Sequence, residues 1–542
     1  MPNCAVMTSL NSFPLFERII THAQSAPASE AIVDVPHSLT ITYSELCADI
    51  LSLGSTLTPL LSVPEARVVV LCEKGYLVAL SMLSIWTAGG LSVPILPSLP
   101  LPEQSYMAIN SDASLVICDA NNKPRADELK ADMEKEGIKA MVLEINLNGV
   151  RKAVYGKNGA EALSKMSELH GERRAMMLFT SGTTGRPKGV VTRHSALTAQ
   201  VSAVVQFWRW TSSDNLLHTL PLNHLHGIVV ALLPTIWAGA TVELWEKFDG
   251  RGIWMRWINN EGKTPITMFF GVPTVYSRLI QSHSMLPKEL RPIASEASSK
   301  LRLQVSGSAP LPESIKKTWE KEGGIGGGQV LLERYGMTET GVIASTGWEN
   351  DKRVKGHVGY ALPGTEIRLW NEELNQAITA FDTQGEIRVR GPSITTEYWR
   401  LPEATAKEFV DGWFKTGDIG VWSSDTAAQN QLKVLGRKST DIIKSGGEKI
   451  SALEIERAIL ELPGMKDCAV VGVDDEEWGQ IVSVCLVTSR PSVTVNGIRN
   501  ELRSALAPYK LPKLLKVYEG EIPRNNMGKI NKKKLALEAF PK

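Results

Sequence analysis

The run Met177-Leu-Phe-Thr-Ser-Gly-Thr-Thr-Gly-Arg-Pro-Lys-Gly-Val190 carries the residue types that gripping phosphate requires. An apolar, strand-like stretch breaks into hydroxyls and glycines and ends in a lysine. Gly182, Gly185 and Gly189 let the main chain approach oxygen atoms closely, Ser181, Thr183 and Thr184 supply donors, and Lys188 supplies a cation. The spacing does not satisfy GxxxxGK[ST], so this is not a Walker loop. A Ser/Thr/Gly surface turn is the plain alternative, and the complete pattern disfavours it. The tract GGIGGG at 323–328 fits no phosphate fingerprint and reads as a flexible surface connection.

Five further segments follow in order: Ser306-Gly-Ser-Ala-Pro310, Glu333-Arg-Tyr-Gly-Met-Thr-Glu339, Lys415-Thr-Gly-Asp418, Gly436-Arg437 and Pro523-Arg-Asn-Asn-Met-Gly-Lys529. With the lysine loop they resemble the adenylate-forming superfamily, which includes acyl-CoA synthetases, firefly luciferase and peptide-synthetase adenylation domains. The likeness runs from roughly residue 15 to residue 540. It implies ATP contacts from Thr180, Ser181, Gly182, Thr183, Thr184, Gly185 and Lys188. It also implies an adenine-side loop at Ser308, Ala309 and Pro310, with Ser308 where glycine or alanine is more usual. The strand Glu333, Arg334, Tyr335, Gly336, Met337 and Thr338 would stack on adenine. Glu339 and Thr183 would face Mg²⁺, Asp418 would accept the ribose hydroxyls, and Arg437 would make a second ribose contact.

The reaction such a set performs joins two anions: a carboxylate attacks the α-phosphorus of ATP and expels pyrophosphate. Cations and fixed donors placed where charge accumulates can lower that barrier by several kcal/mol, order of magnitude only. Lys188, Glu339 with Mg²⁺, and Lys529 take those catalytic roles by resemblance. Alone, Lys529 reads as a solvated residue of a basic tail, since Lys532 to Lys534 follow closely. The resemblance further implies that a small C-terminal domain rotates and presents Lys444, Ser445, Gly446 and Gly447 to coenzyme A, with a structural turn as the alternative. Between Arg437 and Gly446 the chain reads RKSTDIIKSG, one residue longer than the common family spacing, which leaves the pivot between Lys438 and Ser439 open.

Composition does not identify the acid. The family's acyl pocket corresponds to Pro221–Gly227, Phe270–Arg278 and Glu333–Tyr335, and each segment carries polar or charged residues. A second carboxylate needs a partner when buried, and arginine offers a permanently charged fork. Arg334, Arg278, His224, His226 and Ser306 are therefore the candidates for the substrate carboxylate. A salt bridge within the domain is the alternative for each arginine, and a core histidine satisfied by backbone is the alternative for each histidine. The forms HLHG, GVPTVYSRL, SGSAPLP, ERYGMTET and GRKSTDIIKSGGEKISALEIE are similar to those of malonyl-CoA synthetases. Malonate is the expected acid, with methylmalonate close behind. The rivals are a short- or medium-chain monocarboxylate ligase, a carrier-protein-loading adenylation enzyme, and a degenerate non-catalytic nucleotide binder.

These residues need a scaffold, and 542 residues require more than one core. Apolar runs such as Arg67-Val-Val-Val-Leu and Leu115-Val-Ile alternate with helical periodicity, which reads as α/β with largely parallel sheets. The expected architecture is a large N-terminal domain (1–435) of two α/β subdomains plus a distorted β-barrel, a hinge (436–440), and a small mobile α+β C-terminal lid (441–542). With 43% hydrophobic and 22% charged residues the chain can bury a large core. A net charge of +1 gives no reason to expect a nucleic-acid partner. The uncharged run from Gly75 to Pro102 is broken by Gly89, Gly90, Pro94, Pro97 and Pro100, so it reads as a buried helix and strand rather than a membrane span. Six scattered cysteines fit a reducing compartment. The expected setting is cytoplasmic, with a mitochondrial alternative, for a monomer or homodimer acting on small molecules.

Overall fold

The computed structural model describes residues 14–152, 171–180, 186–260, 262–321, 323–446, 448–524 and 530–541. Ser181, Gly182, Thr183, Thr184, Gly185, Gly447 and Lys529 lie outside the described residues. The described residues form four sheets. The first runs in the order Tyr360–Ala361, Gly341–Ser345, Leu332–Met337, Leu303–Ser306, Met268–Gly271, Asn215–His218, Thr241–Leu244, Glu30–Asp34 and Leu39–Thr42. Its strands from Leu332–Met337 to Glu30–Asp34 are parallel, with antiparallel strands at both edges. The second runs Glu397–Tyr398, Lys188–Arg193, Arg174–Thr180, Leu91–Pro94, Arg67–Leu71, Leu115–Cys118 and Met141–Glu144.

Parallel strands covered on both faces read as continuous apolar runs, and every residue of Leu91–Pro94, Leu115–Cys118, Met268–Gly271 and Leu303–Ser306 is buried. Before Leu91–Pro94, the helix Tyr76–Thr87 is apolar on nearly all sides and almost wholly buried, as the broken uncharged run predicts. No helix among the described residues is long and apolar enough to cross a membrane. One core joins Ile32, Trp86, Met176, Leu216 and Val305, so both parallel sheets share a single hydrophobic interior.

The third sheet is antiparallel: Gln376–Ile378, Glu366–Asn371, Gly385–Arg390, Trp413–Trp422 and Phe409–Val410, with Leu432–Arg437 beside Trp413–Trp422. Its terminal strands do not pair with each other among the described residues, so the expected barrel is an open sheet here. Beyond Arg437 the fourth sheet combines Glu448–Ser451, Ile442–Ser445, Gly479–Thr488, Met465–Asp475 and Leu514–Val517. Its core is separate, with Ile450, Ile455, Val470 and Val484 buried. The GGIGGG tract is not a loose connection: Gly326 N donates to Trp319 O at 2.9 Å, and a Cβ on Gly326 would lie 2.3 Å from the buried indole.

A polar seam links the two parallel sheets at their carboxyl ends. Lys74, just past Arg67–Leu71, donates to His218 O at 3.0 Å, while Tyr76 N donates to the buried Asp34 carboxylate at 2.7 Å. Burial pushes the Lys74 ammonium down to about 7, although Asp34 pulls it up. An unfolded lysine titrates near 10.4, so the unfolded chain binds more protons from about pH 7 to about pH 10. Stability therefore gains with rising pH across that window, by roughly 1–3 kcal/mol once solvent screening is allowed for. Urea midpoints measured from pH 7 to 10 should show this gain in the wild type and its loss in Lys74→Met; parallel curves would refute the assignment.

Candidate active site

The parallel strands of the first sheet end in loops on the side where α/β sheets bind ligands. Leu303–Ser306 and Leu332–Met337 pair with Ser306 opposite Glu333, which brings Gly307 under the next side chain, Arg334. A Cβ on Gly307 would lie 2.3 Å from Arg334 Nε, so only glycine admits the guanidinium here. Arg334 is buried at 6% exposure and has no carboxylate partner among the described residues. Its Nη2 donates to Ser308 Oγ at 3.0 Å, and its Nε has no partner among the described residues. Burial pushes this guanidinium down to about 10, so it stays charged at neutral pH.

Ser308 holds φ 68°, a left-handed conformation in which a serine costs more than the glycine usual there. Its Oγ also lies 3.3 Å from His226 Nδ1. Burial first, then Arg334, holds the His226 imidazole well below its ordinary range, so it is neutral. We assign the neutral imidazole the tautomer with its proton on Nε2, which lets the Ser308 hydroxyl, already accepting from Arg334, donate to Nδ1. That buried Nε2, like the buried Ser306 Oγ, has no partner among the described residues. His226 opens a π-helical segment, His226–Leu232, a wide turn that places successive side chains off the usual helical register. The result is a pocket of buried donors lacking an acceptor. His224 is half-buried next to it. Arg278 lies exposed on the helix Pro273–Met285 and pairs with no described residue.

A second group lies at the junction with the third sheet. Tyr335 donates its hydroxyl to Asp418 Oδ2 at 2.6 Å, and Arg437 Nε reaches Asp418 Oδ1 at 3.0 Å. Burial raises the Asp418 pKa against the pull of Arg437. Each carboxylate oxygen keeps a lone pair for another donor, such as a sugar hydroxyl. The third group lies at the lysine loop, whose flanking strands end with Thr180 opposite Lys188. Lys188 Nζ sits 4.5 Å from the centre of the Tyr398 ring, and Tyr398 donates its hydroxyl to Glu339 Oε1 at 2.9 Å.

One segment, residues 334–339, ties these groups together and marks the candidate crevice: Arg334 meets Ser308, which is exposed with Ala309 and Pro310, Tyr335 meets Asp418, and Glu339 meets the Tyr398 that carries Lys188. Residues 20–399 match the family model of AMP-binding enzymes, and residues 454–529 match that of their C-terminal domain. The chain belongs to the AMP-binding enzymes. A CoA ligase of Gibberella moniliformis is 39% identical to it over 98% of this chain and 95% of the relative. The malonate–CoA ligase of Arabidopsis thaliana is 37% identical over 88% of this chain and 78% of the relative, and the mitochondrial one of Homo sapiens 35% over 92% and 88%. An ATP-bound MatB from Rhodopseudomonas palustris superposes with a TM-score of 0.81 at 31% identity, covering 97% of this chain and 99% of that one.

Other expected residues of this AMP-binding enzyme have varied fates. The Glu333 carboxylate accepts from Lys316 at 3.0 Å and its backbone is bound to Thr346, so it is anchored within the domain. Gly336 is pressed against the backbone, where a Cβ would meet Gly341 O at 2.0 Å. Met337 N donates to Thr340 Oγ1 at 3.3 Å, and Thr338 is half-buried. Lys444 and Gly446 are exposed while Ser445 is buried; Gly446 holds φ 57° against the Trp478 ring. No cluster of three or more metal-ligating side chains exists among the described residues. A single carboxylate, Glu339, suits a magnesium ion that arrives on nucleotide phosphates and keeps most of its other ligands. Sequence reasoning missed Tyr398; the aromatic pair Tyr398-Trp399 between Glu397 and Arg400 was its signal. Replacing Asp418 with asparagine, which can still accept from Tyr335, should raise the KM for ATP by about tenfold or more with a much smaller loss of stability than alanine would cause; steady-state ATP titration and thermal scans of both variants check this.

Proposed function

We propose that this enzyme joins malonate to coenzyme A in two steps through malonyl-adenylate. One observation carries the reading of the acid: Arg334 is a buried cation with no counter-ion among the described residues, and His226 Nε2 and Ser306 Oγ have no described partner, so the pocket is short of an anion. A monocarboxylate puts its one carboxylate at the α-phosphorus and leaves such a pocket unfilled. A short dicarboxylate reaches both. The names of the plant and animal relatives agree with this choice.

In the first step a malonate oxygen attacks the α-phosphorus and pyrophosphate leaves. The distal carboxylate rests on Arg334 Nε and His226 Nε2, with Ser308 holding both groups. Tyr335 and Asp418 orient the adenosine, and Lys188 offsets charge on the phosphates. Mg²⁺, carried by the nucleotide and met by Glu339, neutralises phosphate charge when bound. Lys529, from the C-terminal domain, is assigned the cation that offsets charge gathering at the α-phosphorus. In the second step the CoA thiol, as it loses its proton, attacks the acyl carbon and AMP leaves. The loop Lys444–Gly447 is assigned to the pantetheine path, and Arg278, on the exposed helix face, to the outer rim of the acyl pocket.

A CoA-dependent AMP-release assay across malonate, methylmalonate, succinate, acetate and octanoate tests the reading, with malonate expected first. Arg334→Ala should lower malonate kcat/KM by about 10²–10³-fold and acetate turnover by far less. Equal losses would remove Arg334 from the acyl pocket. Lys529→Ala should abolish malonate-dependent pyrophosphate exchange while preformed malonyl-adenylate still yields thioester; undiminished exchange would contradict its assignment.

A further inference from the structure

Lys188 and Glu339 carry opposite charges, both half-buried at one side of the crevice, yet no ion pair joins them. Tyr398 stands between them. Its ring face receives the ammonium at 4.5 Å and its hydroxyl edge donates to the carboxylate at 2.9 Å. Burial, then Glu339, holds the phenol well above its ordinary range, so it remains a donor. The ring itself is fixed. Tyr398 pairs with Val190 in the two-residue strand Glu397–Tyr398, Trp399 N donates to Gly189 O at 2.8 Å, and Thr395 N donates to Glu339 O at 2.8 Å. The short segment 395–399 therefore grips both the chain that leaves the lysine loop and the backbone of Glu339.

We propose that Tyr398 is a positioning residue that keeps Lys188 and Glu339 from neutralising each other, so that the ammonium stays available to nucleotide phosphate and the carboxylate to the cation that accompanies it. The inference rests on the roles given above to Lys188 and Glu339. A direct Lys–Glu pair would satisfy both groups internally, and ATP would have to break it before binding. The aromatic face holds the ammonium more weakly, because cation–π attraction at a partly solvated site is small beside a charge-assisted hydrogen bond. The lysine is thus oriented without being consumed.

Mg²⁺-free ATP binding, measured by calorimetry on the full chain, tests this apart from turnover. Tyr398→Leu removes the spacer, so Kd for ATP should rise about tenfold. Adding Glu339→Gln to that variant should restore Kd to within about twofold of wild type, because the partner that captures Lys188 has lost its charge. Tyr398→Phe keeps the ring and should bind Mg²⁺-free ATP as wild type. A Tyr398→Leu protein with unchanged Kd, or one weakened but not rescued by Glu339→Gln, overturns the proposal. Should Tyr398→Leu fail to fold, Tyr398→Phe decides: the Mg²⁺ concentration for half-maximal adenylation should rise about threefold, and no rise overturns it. Lys188→Ala separates the two layers. If it leaves ATP affinity unchanged, the phosphate role of Lys188 fails; if it weakens ATP while the tyrosine variants have no effect, only the spacer fails.

Discussion

An uncompensated buried cation is the constraint around which this crevice is arranged. Desolvating a guanidinium without a carboxylate is costly, and proteins keep such a group only where surrounding structure leaves it no alternative or a ligand completes it. At Arg334 the structure supplies a glycine floor, one hydroxyl and a neutral imidazole. None of them cancels the charge. The carboxylate on the preceding residue is held away by Lys316, so the nearest internal counter-ion in sequence is already taken.

That arrangement depends on strands whose ends cannot shift. Residues of the first sheet reach the crevice at the carboxyl ends of parallel strands that are buried on both faces, and the second sheet is locked to the first through a common core and the Lys74 and Asp34 seam. The strands Arg174–Thr180 and Lys188–Arg193 pair along their length with Thr180 opposite Lys188, so Lys188 is held at a fixed strand end. Rigid supports of this kind hold polar groups unpaired without letting them collapse on one another.

The C-terminal unit is joined to this frame by charged contacts and by a small apolar cluster of Val421, Leu435 and Ile442. Arg437 ends the third sheet with its side chain on Asp418 and its backbone N–H on the Asp441 carboxylate at 3.0 Å, and Asp441 in turn accepts from Lys532 at 2.6 Å. Lys355 reaches across to Glu461 at 2.7 Å, and Lys438 pairs with Glu372. Exposed ion pairs of this type are worth little individually. Such contacts exchange readily with water, whereas a large apolar interface resists separation.

Part of the site was legible in the sequence because its chemistry is local: glycines and hydroxyls before Lys188 read as a phosphate loop from their types and spacing, while Asp418 and Arg437 were picked out through the family resemblance. Apolar runs declared the parallel strands in the same way, and Gly89 with the following prolines marked where the buried helix Tyr76–Thr87 had to stop. Partner choice was not legible, since it is made across the chain. Arg334 meets Ser308 over 26 residues, Tyr398 meets Glu339 over 59, and Tyr335 meets Asp418 over 83. Only the tertiary structure could decide that Glu333 is consumed by Lys316, that Arg278 faces outward, that Arg334 alone of the two arginines is buried without an anion, and that an aromatic ring separates two opposite charges. The physical reason is that spacing reports which groups a segment presents, whereas desolvation and pairing depend on what other segments bring against them.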